Sequence, residues 1–331
     1  MSSVDYSRIL KRSWQLSWKN KWLWVYGLIL AIFGGSGGSG GGAGFSSSDF
    51  KELINSRPLP DTSEPASQVL GMATNAIADW FKSVPLSIWL ILAIGLILLL
   101  TIGFTVGLII RAWAKAALIS ALHQADSDQS VNLVSTSPSG LTSLKSLIIY
   151  GILVSLIALA GVLVLLSLGS AALVLKDSLS QLVIAVFLVA LVLSFLFFMI
   201  LLGFTNIYAE RLIVLKNFSP WAAWKTGLNF AYHKFFPTLT MGIVDRSVGC
   251  SVGCLGTLIM GLFLGLPAYL LLTPSFKNGF HWPSPPNLVA IVLLFLIFIH
   301  LNLLLQAIFT VFNFSNWNLF VKEMETEEKS L

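Results

Sequence analysis

Long runs of apolar residues dominate the chain, and the polar positions are concentrated in the segments between them. A helix needs about 20 consecutive apolar residues to cross the hydrocarbon layer of a membrane, which is about 30 Å thick. Four runs meet this requirement, so the pattern predicts at least four membrane-spanning helices. They lie at residues 86–110, 147–169, 182–208 and 287–314.

Two further apolar segments are less regular. A charge at the bilayer centre costs about 2.5–3.5 kcal/mol. Asp245 and Arg246 are therefore expected at the membrane interface, followed by a fifth span at 247–272. The first segment, at 22–33, would rise only about 18 Å as a helix. The uncharged glycine run that follows extends the predicted first span to about 22–37.

The distribution of basic residues decides whether the first segment crosses. With six spans and both termini inside, fifteen of the 20 Lys and Arg residues fall on the inner side and five on the outer side. Cytoplasmic loops carry such an excess, whereas a first segment that did not cross would place its own basic residues outside. The sequence therefore predicts a multi-pass protein of the bacterial inner (plasma) membrane with both termini in the cytoplasm.

Composition supports the same fold class. Charged residues make up 11% of the chain, against about 25% in soluble domains, and the mean hydropathy is +0.84. We predict an all-α polytopic integral membrane protein with six transmembrane helices and in-plane amphipathic helices on its cytoplasmic face. Residues 1–21 are predicted to form an interfacial helix and residues 22–331 the membrane domain, which includes an external Gly/Ser-rich loop at 36–85.

Two segments of the predicted inner face carry aromatic residues at helical spacing, which is typical of helices that lie in the headgroup layer. In the first segment the stripe consists of Tyr6, Leu10, Trp14, Trp18 and Trp22. Basic residues expected to contact anionic headgroups occupy other positions, namely Arg8, Lys11, Arg12 and Lys19. Ser219 and Pro220 are typical helix-start residues and begin the second segment. Its stripe consists of Trp221, Trp224, Leu228, Tyr232 and Phe235.

Two short motifs resemble those of a broad bacterial group of six-span proteins. One is Leu10-Lys11-Arg12-Ser13-Trp14, followed by Lys19-Asn20-Lys21 before the first span. The other runs from Ala209-Glu-Arg-Leu-Ile-Val-Leu215 to Ser219-Pro-Trp-Ala-Ala-Trp-Lys-Thr226 before the fifth span. The group includes the membrane domain of glycerophosphoryl diester phosphodiesterases and related uncharacterised integral membrane families. The resemblance implies the membrane module alone, because no soluble stretch is long enough for a catalytic barrel.

Small residues recur every fourth position in the fifth predicted span. They are Gly249, Gly253, Thr257, Gly261 and Gly265, and Gly103 and Gly107 form a shorter version in the second span. Small residues at this spacing allow the backbone of a neighbouring helix to approach closely. We therefore expect tight helix packing along this stripe, and the alternative is a backbone that lines a narrow pathway.

Polar residues follow one side of the sixth predicted span. They are Asn302, Gln306, Thr310 and Asn313, whereas His300 lies about 200° around the helix. Amides in hydrocarbon are expected to hydrogen-bond across helices. The alternative is a transport path, in which the histidine could relay a proton.

Two charged doublets, Glu210-Arg211 and Asp245-Arg246, fall at the predicted inner ends of spans four and five. Ion pairs between the doublets would fix the positions of those helix ends. The same side chains could instead contact a lipid headgroup or a cytosolic partner.

The candidate chemistry favours a role without catalysis. Two cysteines and four scattered histidines give no metal-binding pattern, and no nucleophile–base set is evident. We expect no cofactor and no metal, and a non-enzymatic scaffold, accessory subunit or lipid-interacting module. The expected partners are anionic membrane lipids and other membrane subunits, without nucleic acid. The alternative function is a small-solute or lipid transporter that uses the polar stripe of the sixth span.

Overall fold

The computed structural model describes residues 4–33, 85–129, 131–174, 178–267, 269–271 and 285–330, and these residues form helices joined by short connections. The all-α fold class is therefore confirmed for the part of the chain that is described. The helices are α1 (Tyr6–Lys19), α2 (Leu23–Phe33), α3 (Leu86–Asp126), α4 (Leu133–Val174), α5 (Ser178–Lys216), α6 (Pro220–His233), α7 (Phe235–Met260) and α8 (Pro285–Ser330). A π-helical segment, Gly261–Gly265, continues α7.

Five of these helices are long and apolar enough to cross a membrane, which indicates a multi-pass membrane protein. The apolar stretches are Ser87–Asp126, Ser135–Ser167, Val186–Lys216, Phe235–Leu271 and Pro286–Thr326. Helix α2 has only 11 residues and rises about 16 Å, roughly half of the hydrocarbon layer. The predicted external loop at 36–85 lies outside the described residues except for its last residue.

The chain divides into two compact units, one made of Met1–Gly40 and Leu108–Leu331 and the other of Gly41–Gly107. In the described part of the second unit, large apolar side chains such as Ile91 and Leu99 are exposed. Such exposure is expected of surfaces that contact lipid rather than water. All of the interactions that follow lie within the first unit.

Helix α7 begins at Phe235 and therefore includes residues that precede the predicted start of the fifth membrane span at 247. Asp245 therefore lies inside a helix, and only 4% of its surface is exposed. The sequence suggested an ion pair with the Glu210-Arg211 doublet as a possible partner for this carboxylate. In the structure the side chains of Asn313 and Asn316 on α8 donate hydrogen bonds to it, which offset much of the cost of its burial.

Buried side chains join α1 and α2 to the rest of the first unit. Ile9 of α1 packs in one cluster with Tyr208 of α5, Met241 of α7 and Phe320 of α8. Leu23, Tyr26 and Leu30 of α2 pack in a second cluster that includes residues of α3 and α8. The first and last helices of the described chain are therefore in direct contact.

Gly27 marks the closest approach of α2 to α8. A Cβ atom at this position would overlap the backbone carbonyl oxygen of Ala307 and would lie 2.9 Å from Cγ2 of Val311. The absence of a side chain at Gly27 therefore allows α2 to pack directly against the α8 backbone.

The buried faces of α1 and α6 include small residues, and each helix also exposes aromatic residues. In α1, Ser13 and Ser17 are fully buried, whereas Trp14 remains 51% exposed. In α6, Ala223 and Ala231 are buried, and the exposed residues include Trp221 and Tyr232. Ser219 caps α6 as predicted, with its hydroxyl accepting a hydrogen bond from the Ala222 backbone N–H at 3.4 Å.

Candidate functional site

Side chains from five helices line a cavity of about 940 Å³ in the first unit. The lining comes from α2, α3, α5, α7 and α8. Six of the lining residues are charged: Arg111, Lys115, Glu210, Arg211, Asp245 and Arg246. The cavity therefore brings together both charged doublets and two basic residues of α3.

Lys115 and Glu210 form an ion pair across α3 and α5. The distance between Lys115 Nζ and Glu210 Oε1 is 2.5 Å, and the two side chains are 20% and 9% exposed. Each charge is largely removed from solvent and is compensated by the other. The pair leaves Glu210 engaged with α3 rather than with Arg246.

Arg211 is buried beside this pair, with 4% of its surface exposed. Its Nη1 donates to the Ile207 carbonyl at 2.8 Å, and its Nη2 donates to the Phe314 carbonyl at 3.4 Å. Its Nε is buried and has no hydrogen-bond partner among the described residues. One donor of a permanently charged group is therefore left unsatisfied in the protein interior.

Two asparagine side chains of α8 donate hydrogen bonds to Asp245. Asn313 Nδ2 donates to Asp245 Oδ2 at 2.5 Å, and Asn316 Nδ2 donates to Asp245 Oδ1 at 3.3 Å. Within the described residues, no ion pair within 4.0 Å joins Asp245 to Arg211 or to Arg246. The expected pairing between the two doublets is therefore not made, because each carboxylate has a partner on another helix.

Arg111 and Arg246 supply positive charge without a close counter-ion. Neither side chain forms a hydrogen bond or an ion pair with another described residue, although both line the cavity. Arg111 is half-buried and Arg246 is exposed. The lining contains four cations and two carboxylates, so four minus two leaves an excess of two positive charges.

The remaining walls of the cavity are mostly apolar. Leu196, Met199 and Ile200 line it from α5. Ile200 and Glu210 are ten residues apart on that helix, which corresponds to about 15 Å along its axis. The cavity therefore extends from a charged region to an apolar one, as a site for an amphiphile requires.

Three of the four residues in the polar stripe of the sixth predicted span line the cavity, namely Gln306, Thr310 and Asn313. Asn313 makes the interhelical hydrogen bond to Asp245. Gln306 Nε2 instead donates to Asn302 Oδ1 of the same helix at 2.7 Å. His300 is exposed and does not line the cavity, and its Nδ1 lies 2.7 Å from the Leu296 carbonyl oxygen.

The small-residue stripe of α7 lies away from the cavity. A Cβ atom at Gly253, Gly261 or Gly265 would have no described atom within 4 Å, and the same holds at Gly103 of α3. Gly249 is buried, Gly107 is half-buried and Thr257 is exposed. The expected tight packing is thus not found at these four glycines, because no described helix approaches the face on which they lie.

The basic residues of α1 divide into two groups. Arg12 Nε lies 3.5 Å from Asp126 Oδ1 at the end of α3, and Lys19 Nζ lies 3.8 Å from Asp128 Oδ1. Arg8 and Lys11 are exposed and form no ion pair with a described residue. Arg12 and Lys19, two of the four predicted headgroup contacts, therefore also hold α1 against the end of α3. Lys322 of α8 pairs with Asp126 at the same place.

The sequence-based reasoning missed Arg111 and Lys115 as members of a site. They lie four positions apart and therefore share one face of α3. Two cations with this spacing at the end of an apolar run were a usable signal. Within the described residues, no group of three or more His, Cys, Asp or Glu side chains is placed to hold a metal ion.

The chain matches no protein-family model, no curated protein and no solved structure. The resemblance to six-span bacterial membrane proteins thus stays a prediction. The functional argument depends on the geometry of the cavity and on the charges that line it.

Proposed function

We propose that this protein is a non-enzymatic, lipid-interacting module of the bacterial inner membrane that holds an amphiphile with an acidic head in its cavity. The observation that carries the proposal is the cavity itself, which combines apolar walls with an excess of positive charge. Arg111 and Arg246 would bind the acidic head, and the wall formed by Leu196, Met199 and Ile200 would contact an apolar tail. A scaffold or accessory role among membrane subunits is compatible with such a bound lipid.

A cavity-filling substitution tests this function. Gly203 lines the cavity, and a Cβ atom there would meet no described atom within 4 Å. We expect Gly203→Trp to fold normally and to displace the amphiphile, because the indole would occupy the space of its tail. Mass spectrometry of lipids that co-purify in mild detergent measures the loss, which we expect to be at least about tenfold.

The matched control is Gly253→Trp, which adds the same side chain where no described atom lies within 4 Å and which does not line the cavity. This variant should retain the lipid complement of the unsubstituted protein. An unchanged acidic lipid content in Gly203→Trp would contradict the proposed function.

The proposal includes six crossings with both termini in the cytoplasm. An ion pair between Arg12 and Asp126 holds α1 at the end of α3. If α3 crosses the membrane once, its beginning lies on the side opposite α1. The segment between α1 and α3 must then cross the membrane an odd number of times. Helix α2 is the described apolar helix in that segment, so we assign the first crossing to it. The excess of basic residues at the side of α1 supports a cytoplasmic position.

Cysteine accessibility tests this topology. The two native cysteines, Cys250 and Cys254, are free, so both are first replaced by alanine. We expect a single cysteine at Ser47 to react with an impermeant thiol reagent in intact cells. Cysteines at Ser7 or Ser127, which are both exposed, should react only after permeabilisation. Labelling at Ser7 in intact cells would rule out the six-span topology.

A transporter is the second candidate function. It is favoured by the hydrogen bond from Gln306 to Asn302, because this bond continues the polar stripe beyond the cavity along α8. Asn302→Leu would interrupt the stripe without altering the cavity lining. Lipid scrambling in reconstituted vesicles that depends on Asn302 would favour transport, whereas binding without such movement favours the lipid-interacting module.

A further inference from the structure

We propose that the cavity selects a lipid phosphomonoester, an amphiphile whose head is a terminal phosphate group, over lipids in which the phosphate is a diester. This inference rests on the proposed function, in which an acidic amphiphile occupies the cavity. It extends that function by identifying the head group.

The balance of charge in the lining favours a head with more than one negative charge. The Lys115–Glu210 pair, at 2.5 Å, is internally compensated. Asp245 offsets one of the three remaining cations, so the lining keeps an excess of two positive charges. A phosphomonoester carries about −1.5 to −2 charges at pH 7. A phosphodiester carries a single negative charge and would leave part of this excess uncompensated.

The available hydrogen-bond donors lead to the same head group. Arg111 and Arg246 line the cavity and have no hydrogen-bond or ion-pair partner among the described residues. Guanidinium groups bind phosphate oxygens in a forked geometry that adds specificity to the charge attraction. A terminal phosphate presents three oxygens to these two groups, whereas a diester presents only two that are not bridging.

The apolar walls indicate that the phosphate belongs to a lipid and not to a free ion. Met199 and Ile200 of α5 and Phe309 of α8 line the cavity together with the charged residues. The distance of about 15 Å along α5 between Ile200 and Glu210 leaves room for part of an acyl chain beside a phosphate. Burial of that chain would give the lipid an affinity that inorganic phosphate lacks.

The test compares two lipids with identical acyl chains. Full-length protein is placed in two preparations of phosphatidylcholine nanodiscs. One contains dioleoyl phosphatidate, a phosphomonoester, and the other contains the same fraction of dioleoyl phosphatidylglycerol, a phosphodiester. Lipid retained by the protein is then measured by native mass spectrometry. We expect phosphatidate to bind about tenfold more tightly, and an equal concentration of inorganic phosphate should not displace it.

Matched variants locate the preference in the cavity. Arg111→Gln/Arg246→Gln should bind the two lipids equally, because it removes the excess positive charge. Arg246→Gln alone alters an exposed side chain that the fold tolerates, and it should reduce the preference about threefold. Arg8→Gln/Lys11→Gln removes the same number of charges outside the cavity and should keep the full preference.

The outcomes separate this inference from the proposed function. Equal binding of both lipids, with both lost in Gly203→Trp, would overturn the phosphomonoester preference and leave the lipid-binding function standing. If Gly203→Trp changes the binding of neither lipid, both the phosphomonoester preference and the proposed lipid-binding function are overturned. The inference would also be overturned if Arg111→Gln/Arg246→Gln still preferred phosphatidate. Displacement of bound phosphatidate by inorganic phosphate would overturn it as well.

Discussion

Replacing Gly27 with leucine should destabilise the protein by about 3 kcal/mol or more, the upper end of typical overpacking costs. A Cβ atom at Gly27 overlaps the backbone carbonyl oxygen of Ala307. This oxygen is part of α8 and cannot rotate away as a flexible side chain would. Relief therefore requires α2 and α8 to separate, which disrupts the cluster around Leu23 and Tyr26. Thermal unfolding in detergent, followed by tryptophan fluorescence, measures the effect.

Gly253→Leu is the control for this prediction. No described atom lies within 4 Å of a Cβ position at Gly253, so leucine meets open space there. Leucine also has a higher helix propensity than glycine, by somewhat less than about 1 kcal/mol. We expect an unchanged or slightly higher unfolding temperature. Greater sensitivity at Gly253 than at Gly27 would show that the small-residue stripe, and not α2, makes the critical helix contact.

Breaking the Lys115–Glu210 ion pair should have the second large effect. Glu210→Gln leaves the Lys115 ammonium without its counter-charge in a largely buried position, and loss of one partner of a buried pair costs about 3–5 kcal/mol. We expect a loss near 3 kcal/mol, because 20% of the Lys115 side chain is exposed. Chemical or thermal unfolding of the purified variant measures the loss.

Two further variants identify the cause of that loss. Lys115→Met/Glu210→Met removes both charges and should recover most of the stability, since a buried pair can be replaced by apolar residues at little cost. Glu325→Gln breaks the more exposed Lys216–Glu325 pair, whose atoms lie 2.8 Å apart, and should cost no more than about 1 kcal/mol. Equal losses at Glu210 and Glu325 would mean that burial does not govern the strength of these pairs.

The positions of the long helices α3, α4, α5 and α8 could be predicted because each contains a run of about 20 or more mostly apolar residues. The beginning of α7 could not be predicted in this way. Asp245 lies within that helix, where its burial is offset by hydrogen bonds from Asn313 and Asn316, which are distant in sequence. A hydropathy argument assigns a penalty to every charge and does not include partners that only the tertiary structure brings close.

The small residues illustrate a second limit of the sequence. A spacing of four identifies positions that share a helix face, but it does not reveal which face meets a neighbour. Gly253 and Gly261 fit the pattern, but a Cβ atom at either position would meet no described atom of another helix within 4 Å. Gly27 belongs to no such pattern and makes the closest helix approach described above.

The candidate site was only partly accessible to sequence reasoning. Both charged doublets and most of the polar stripe were identified and do line one cavity. Their partners were not identified, because Glu210 pairs with Lys115 of a helix 95 positions away. His300 was selected for its chemistry alone, and its position outside the cavity depends on how α8 is oriented.

The contact of α1 and α2 with α8 has a consequence for biosynthesis. Ile9 is translated near the beginning of the chain, whereas Phe320, in the same cluster, follows about 300 residues later. At a translation rate of about 5–20 residues per second, roughly 15–60 s separate the synthesis of the two residues. During that interval the buried faces of α1 and α2 lack the helix that covers them. Completion of the cavity therefore awaits α8, and a ribosome that stalls before α8 would leave the cavity without the wall that this helix contributes.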